Sequence, residues 1–67
     1  MELRFKIDGK TVGEARFRDG ARKPVEALAK RLLGVSDRTI MVFDVQDHRN
    51  PIMSAWRAEG KMEYSWF

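Results

Sequence analysis

His48 is the chain's one histidine, and it is the natural first residue to test for metal binding or acid–base catalysis. It closes an Asp-x-x-Asp-His run that begins at Asp44 and includes Asp47, and all three side chains are of metal-ligating types. The same run is polar and ends close to Pro51, a composition typical of a solvated loop. We therefore interpret His48 as a surface residue, and we predict neither a metal site nor a cofactor.

The other residue types that support catalysis lack the spacing that catalysis needs. There is no cysteine, which excludes thiol nucleophiles and thiolate metal sites. No serine lies at a recognisable spacing from a histidine, and the glycines occur singly rather than in a phosphate-binding loop. So small a chain also has little depth for a substrate pocket. The sequence predicts a protein that is not an enzyme.

Basic residues form a more informative pattern, because four of them alternate along two adjacent segments. Arg4 and Lys6 share one face of the first segment, and Arg16 and Arg18 share one face of the second. Residues 1–31 hold 9 basic and 5 acidic residues, whereas residues 32–67 hold 4 basic and 5 acidic ones. Two interpretations stay open: a solvated surface, or a basic face that meets phosphates or an acidic protein.

Aromatic residues are concentrated in the last hairpin, for which we expect a turn at Gly60-Lys61. Alternation places Arg57, Tyr64 and Trp66 on one face and Trp56 on the other. Because one helix cannot cover both faces, one of these aromatic sets must lie open. We expect Arg57, Tyr64 and Trp66 to be the open, binding set, with Trp56 as the alternative.

The elements that position these residues follow from hydrophobic periodicity. Alternation and a turn at Asp8-Gly9 predict a first hairpin, and an apolar stripe at helical spacing predicts a helix ending before Gly34. A segment that is apolar on both faces predicts a central strand. The expected segments are strands 2–7 and 11–18, a helix 23–33, a strand 40–45, a loop 47–51, and strands 52–59 and 62–67. The order ββαβββ predicts an α+β fold, a mainly antiparallel five-stranded sheet with one helix packed on one face.

Size and composition indicate a single small cytoplasmic domain. A chain of 67 residues, with 43% hydrophobic and 34% charged residues, has room for one globular domain, residues 1–67. No apolar run approaches the roughly 20 residues that cross a bilayer. The first ten residues alternate charged and apolar types, unlike a signal or transit peptide. A core this small, without disulfides, is marginal, so a homodimer or a bound partner would add stability.

Three stretches of the chain give a short helix, a central strand and a hairpin ending in aromatics: VEALAKRL, TIMVFDVQD and IMSAWRAEGKMEYSWF. In this pattern the chain resembles small type I anti-CRISPR proteins of phages and mobile elements. It implies a stoichiometric inhibitor that occupies a surface of a host nucleoprotein complex. It assigns no individual functional residue.

Together these observations predict a small non-enzymatic protein that binds a protein or nucleoprotein partner and has no membrane association. The alternative is a nucleic-acid-binding module that uses the basic hairpin.

Overall fold

The protein is one five-stranded antiparallel sheet with a single helix on one face. The computed structural model describes residues 1–67 and confirms the order ββαβββ. The elements are β1 (Glu2–Ile7), β2 (Lys10–Arg16), α1 (Arg22–Leu33), β3 (Ile40–Asp44), β4 (Asp47–Ala58) and β5 (Lys61–Trp66). The strands lie in the order β2-β1-β3-β4-β5, so β3 is central, as its two apolar faces predict. The helix is too short and too polar to span a membrane.

Two tight turns set the register of the hairpins. Asp8 and Gly9 have φ values of 52° and 77°, and Glu59 and Gly60 have φ values of 52° and 78°. Positive φ at both central residues matches the twist of the flanking strands, and glycine adopts it without steric cost. The second turn therefore lies one residue earlier than the predicted Gly60-Lys61.

The earlier turn moves the pairing of the last hairpin by two residues. Ala58 pairs with Lys61, and Trp66 lies opposite Met53 rather than opposite Ala55. A shift of two residues keeps every side chain on its original face. The predicted grouping of Arg57 with the two aromatics on one face is therefore unchanged.

The core lies between α1 and the sheet face that it covers. Val25 and Ala29 of the helix are fully buried, and Leu33 is nearly so. They pack on the inward side chains of three central strands: Leu3, Phe5, Ile40, Val42, Met53 and Ala55. Gly13 lets the helix come close to β2, since a Cβ at this position would lie 2.9 Å from Leu32 Cδ1. We refer to this side of the sheet as the covered face and to the other as the open face.

The predicted loop 47–51 is wrong in detail, because these residues form the start of β4. Asp47 pairs with Asp44, and Pro51 pairs with Phe43. The residues between Asp47 and Pro51, which include His48, have no partner in β3, since the register shifts there. The polar composition thus marks an irregular strand end that bulges away from the sheet rather than a break in the chain.

Candidate binding surfaces

The open face carries every second residue of the five strands, and no other part of the protein covers it. Cross-strand partners share a face in an antiparallel sheet, so the register identifies its members. They are Glu2, Arg4 and Lys6 of β1, Thr11, Glu14 and Arg16 of β2, Met41 and Phe43 of β3, Ser54, Trp56 and Ala58 of β4, and Lys61, Glu63 and Ser65 of β5.

The half of the open face formed by β1 and β2 is charged and largely paired. Arg4 Nε donates a hydrogen bond of 2.7 Å to Glu14 Oε2, and Arg16 Nη2 lies 3.4 Å from Glu2 Oε1. These pairs lower the net positive charge that the alternating arginines suggest. The structure therefore brings Arg4, Lys6 and Arg16 onto one surface, as expected, but two of the three face a carboxylate.

The neighbouring half of the open face carries large apolar and aromatic side chains on β3 and β4, with polar residues on β5. Met41 and Phe43 of β3 lie beside β1, and Trp56 lies on β4 opposite Glu63. The ammonium of Lys6 lies 5.4 Å from the centre of the Phe43 ring, within cation–π range, so the charged and aromatic halves meet there. A partly exposed set of large apolar side chains beside cations has the composition of protein contact surfaces.

Arg18 is the one basic residue of the predicted hairpin set that the sheet does not hold. It lies beyond the end of β2 and is exposed, and it makes no ion pair. Its charge is therefore available to a partner without the loss of an internal contact.

The expectation that Arg57, Tyr64 and Trp66 lie on the open face is wrong. These residues share a face with Met53 and Ala55, which are fully buried beneath the helix. The strand period of two then places all three on the covered face. Trp56 occupies the open face instead, as the alternative prediction stated.

On the covered face, two of these three residues join the helix to the edge of the sheet. Trp66 Nε1 donates a hydrogen bond of 2.7 Å to Glu26 Oε2, and the Arg22 guanidinium lies 5.0 Å from the centre of the Trp66 ring. Arg57 Nη2 donates a hydrogen bond of 2.6 Å to the carbonyl of Gly34, just past the end of α1. The contacts thus join both ends of the helix to β4 and β5.

The pKa of the Tyr64 phenol responds to these polar groups. Burial raises the pKa of its phenol above the usual 10.0, and the negative charge of Glu26 raises it further, while Arg57 lowers it in part.

His48 lies on the exposed, unpaired part of β4 and makes no side-chain hydrogen bond. Its neighbour Asp47 accepts a hydrogen bond from the Arg49 backbone N–H, and Asp44 accepts one from that of Gln46. Nowhere do histidine, aspartate and glutamate side chains form a group of three or more that could hold a metal ion.

Sequence reasoning missed Met41 and Phe43 as surface residues, although a signal for them was present. The segment of β3 is apolar on both faces, and Ile40 and Val42 alone fill the covered side. With one helix available, the alternate residues of such a strand must face the uncovered side.

Comparisons with protein-family models, with curated proteins and with solved structures find no match for this chain.

Proposed function

We propose that the protein is a non-enzymatic binding protein that docks its open face on a protein or nucleoprotein partner in the cytoplasm. The observation that supports this proposal is the set Met41, Phe43 and Trp56, large apolar side chains on a sheet face with no covering helix. Contact with a partner removes this apolar surface from water, which favours association. The adjoining Lys6 and Arg4 give the contact an orientation through charge.

Ion pairing on the basic hairpin favours a protein over bare nucleic acid as the partner. Glu14 and Glu2 lie beside Arg4 and Arg16, where phosphates would have to bind. A phosphate would replace an internal carboxylate and would meet the repulsion of that carboxylate. Nucleic-acid binding through the hairpin remains the alternative proposal, and the salt experiment in the Discussion separates the two.

The test is a quantitative pull-down from lysate of the source cell with two matched variants. Trp56→Ala removes the largest open-face side chain, and Val35→Ala removes an apolar side chain that is 98% exposed and lies outside the sheet. We expect Trp56→Ala to lose the partner and Val35→Ala to retain it. Met41→Lys provides a second open-face variant, and circular dichroism checks that each variant is folded.

Two outcomes would contradict the proposal: capture that is equal for wild type and both open-face variants, or capture of no partner by the wild type. Nuclease treatment of the lysate adds a separate answer. A partner that survives nuclease is bound through protein, whereas one that is lost is held through nucleic acid.

A finer proposal is that the partner is a CRISPR effector complex and that the protein inhibits it stoichiometrically. The resemblance of residues 25–67 to type I anti-CRISPR proteins supports it, together with an open face on a very small domain. Titration into purified type I effector complexes, with target-DNA binding as the readout, should show inhibition that saturates near equimolar protein and is lost in Trp56→Ala. If no complex is inhibited, this finer proposal fails while the pull-down still tests the general one.

A further inference from the structure

A second surface lies at the opposite edge of the sheet from β5, between α1 and the edge strand β2. It is an apolar groove of about 540 Å³, and its lining comes from both elements: Ala15, Phe17, Pro24, Ala27, Leu28 and Arg31. The buried side of the helix packs over the central strands, so the helix leaves this margin of the covered face open. The groove therefore runs beside a strand that has a neighbour on one side only.

The free edge of β2 supplies hydrogen-bonding groups along this groove. Phe17 N–H donates a hydrogen bond of 2.7 Å to the Met1 carbonyl, so the backbone of Phe17 points toward the segment that contains β1. Bonding groups alternate along an antiparallel strand, which directs the backbone N–H and C=O groups of Glu14 and Arg16 outward. Unpaired backbone groups of this kind are a template for an added strand.

Charge around the groove selects the kind of strand that fits. The segment from Ala15 to Arg31, which contains every lining residue, holds six basic and two acidic residues. Of the two acidic residues, Glu26 is hydrogen-bonded to Trp66 on the other side of the helix. Arg31 lines the groove and has no ion pair. On the open face, the side chain of Arg16 is 81% exposed and lies 3.4 Å from Glu2 Oε1, a surface pair that costs little to exchange.

We propose that β2 and this groove bind an extended segment of a partner protein in which apolar and acidic residues alternate. The segment adds to β2 as a sixth strand. Its apolar side chains enter the groove beside Ala15 and Phe17, and its acidic side chains lie on the open side, where they compete with Glu2 for Arg16. Main-chain hydrogen bonds supply affinity, and the groove and the arginines supply selectivity.

The test uses a blocked synthetic peptide that alternates valine with glutamate and matches β2 in its length of 7 residues. The control peptide has lysine in place of glutamate. Titrations of the full chain, followed by amide NMR, should show binding of the glutamate peptide and slower hydrogen exchange at the amides of Glu14 and Arg16. The amide of Tyr64, on the other edge strand, should be unaffected.

A charge-matched pair of variants tests the charge on the open side of β2. Arg16→Glu should weaken the glutamate peptide by roughly tenfold or more, because it places a carboxylate beside the acidic side chains of the peptide. Lys30→Glu makes the same change in net charge on the helix, away from the open face, and it should weaken binding by less than about threefold. Trp56→Ala should leave peptide binding unchanged, so failure of this inference is distinguishable from failure of the proposed function.

Each of four results would overturn the inference. These are no binding of the glutamate peptide, equal binding of the lysine peptide, equal losses in Arg16→Glu and Lys30→Glu, and protection at β5 in place of β2. If the Glu14 and Arg16 amides become protected as protein concentration rises without peptide, the edge belongs to a second copy of the chain, and the inference is also wrong.

Discussion

Individual side chains take their roles from the face on which the strand period puts them. Trp56 and Trp66 belong to the same hairpin and are chemically identical, yet one lies on the open face and the other contacts the helix. The Trp66 indole N–H has a carboxylate acceptor in Glu26, which satisfies its one polar group. Trp66 is therefore structural, and Trp56 is the tryptophan available for recognition.

The two tryptophans should respond differently to truncation. We expect Trp66→Ala to lower the free energy of unfolding by about 3 kcal/mol, because it removes packing and leaves Glu26 without its donor. Trp56→Ala should cost less than about 1 kcal/mol, the scale of a cross-strand contact. Urea denaturation followed by circular dichroism measures both. Equal losses would mean that the open face is covered by something other than solvent.

Tyr64 should make stability depend on alkaline pH. Its folded-state pKa is raised above 10.0, so the folded protein keeps the phenol proton after the unfolded chain has lost it. The stabilising contribution is fully present below about pH 10 and is lost as pH rises through the folded pKa. Wild type should lose stability more steeply than Tyr64→Phe between about pH 9 and 11.

Denaturation curves of the two proteins across that range, with near-ultraviolet absorbance of tyrosinate as a direct titration, provide the measurement. Lysines also titrate in this range, but they are common to both proteins and cancel in the difference. Parallel stability curves would show that Tyr64 is solvated.

At the scale of elements, the helix depends on the sheet far more than on its own ends. Ala21 at its N-terminus makes no capping hydrogen bond, and its first turn has no acidic residue. At the other end, Gly34 donates to the Lys30 carbonyl at 3.0 Å and takes a positive φ, as a terminating glycine should. A helix of 12 residues is marginal in isolation, so tertiary packing must supply most of its stability.

A pair of aspartate substitutions on α1 tests this dependence. Ala29 is fully buried, whereas Ala27, two residues earlier, is exposed. Ala29→Asp should cost about 4 kcal/mol or more, because it places an unpaired charge against the core, and should unfold the domain. Ala27→Asp should cost only about 0.5–1 kcal/mol, from helix propensity alone. Thermal melts distinguish the two, and a folded Ala29→Asp would mean that the helix can leave the sheet.

For the whole molecule, the distribution of charge matters more than its total. The formal net charge is +3, but Arg4 and Arg16 contact carboxylates on the open face. The charges outside these pairs, such as Arg18 and Arg31, lie toward the β2 edge and the helix. A partner therefore meets an apolar, partly neutralised face on one side and a basic groove at the edge.

We expect only weak, non-specific nucleic-acid binding. Fluorescence anisotropy with DNA and RNA, in single and double strands, should show any affinity disappearing between about 50 and 200 mM salt, where counterion release is felt. Arg16→Glu combined with Arg18→Glu should abolish the nucleic-acid binding that is seen at low salt. Sequence-selective binding that persists at 200 mM would favour the nucleic-acid alternative over a protein partner.

The sequence alone determined the elements of this protein and their order. Alternation along β1, the apolar stripe of α1 and the two glycine turns are local patterns. Each can be recognised from residues that are close together in the sequence. The first hairpin, the helix and the central β3 are therefore predictable to within a few residues. The bulged start of β4 was not, because its polar residues are typical of a loop.

Only the tertiary structure decided which face of the last hairpin the helix covers. Both faces carry a tryptophan, so hydrophobicity does not distinguish Trp56 from Trp66. The choice depends on Met53 and Ala55 pairing with Val42 and Ile40, a contact between distant segments. Once these residues lie under the helix, the strand period of two places Trp66 beside Glu26 and Trp56 on the open face. The groove beside β2 likewise forms only when the helix packs over the central strands.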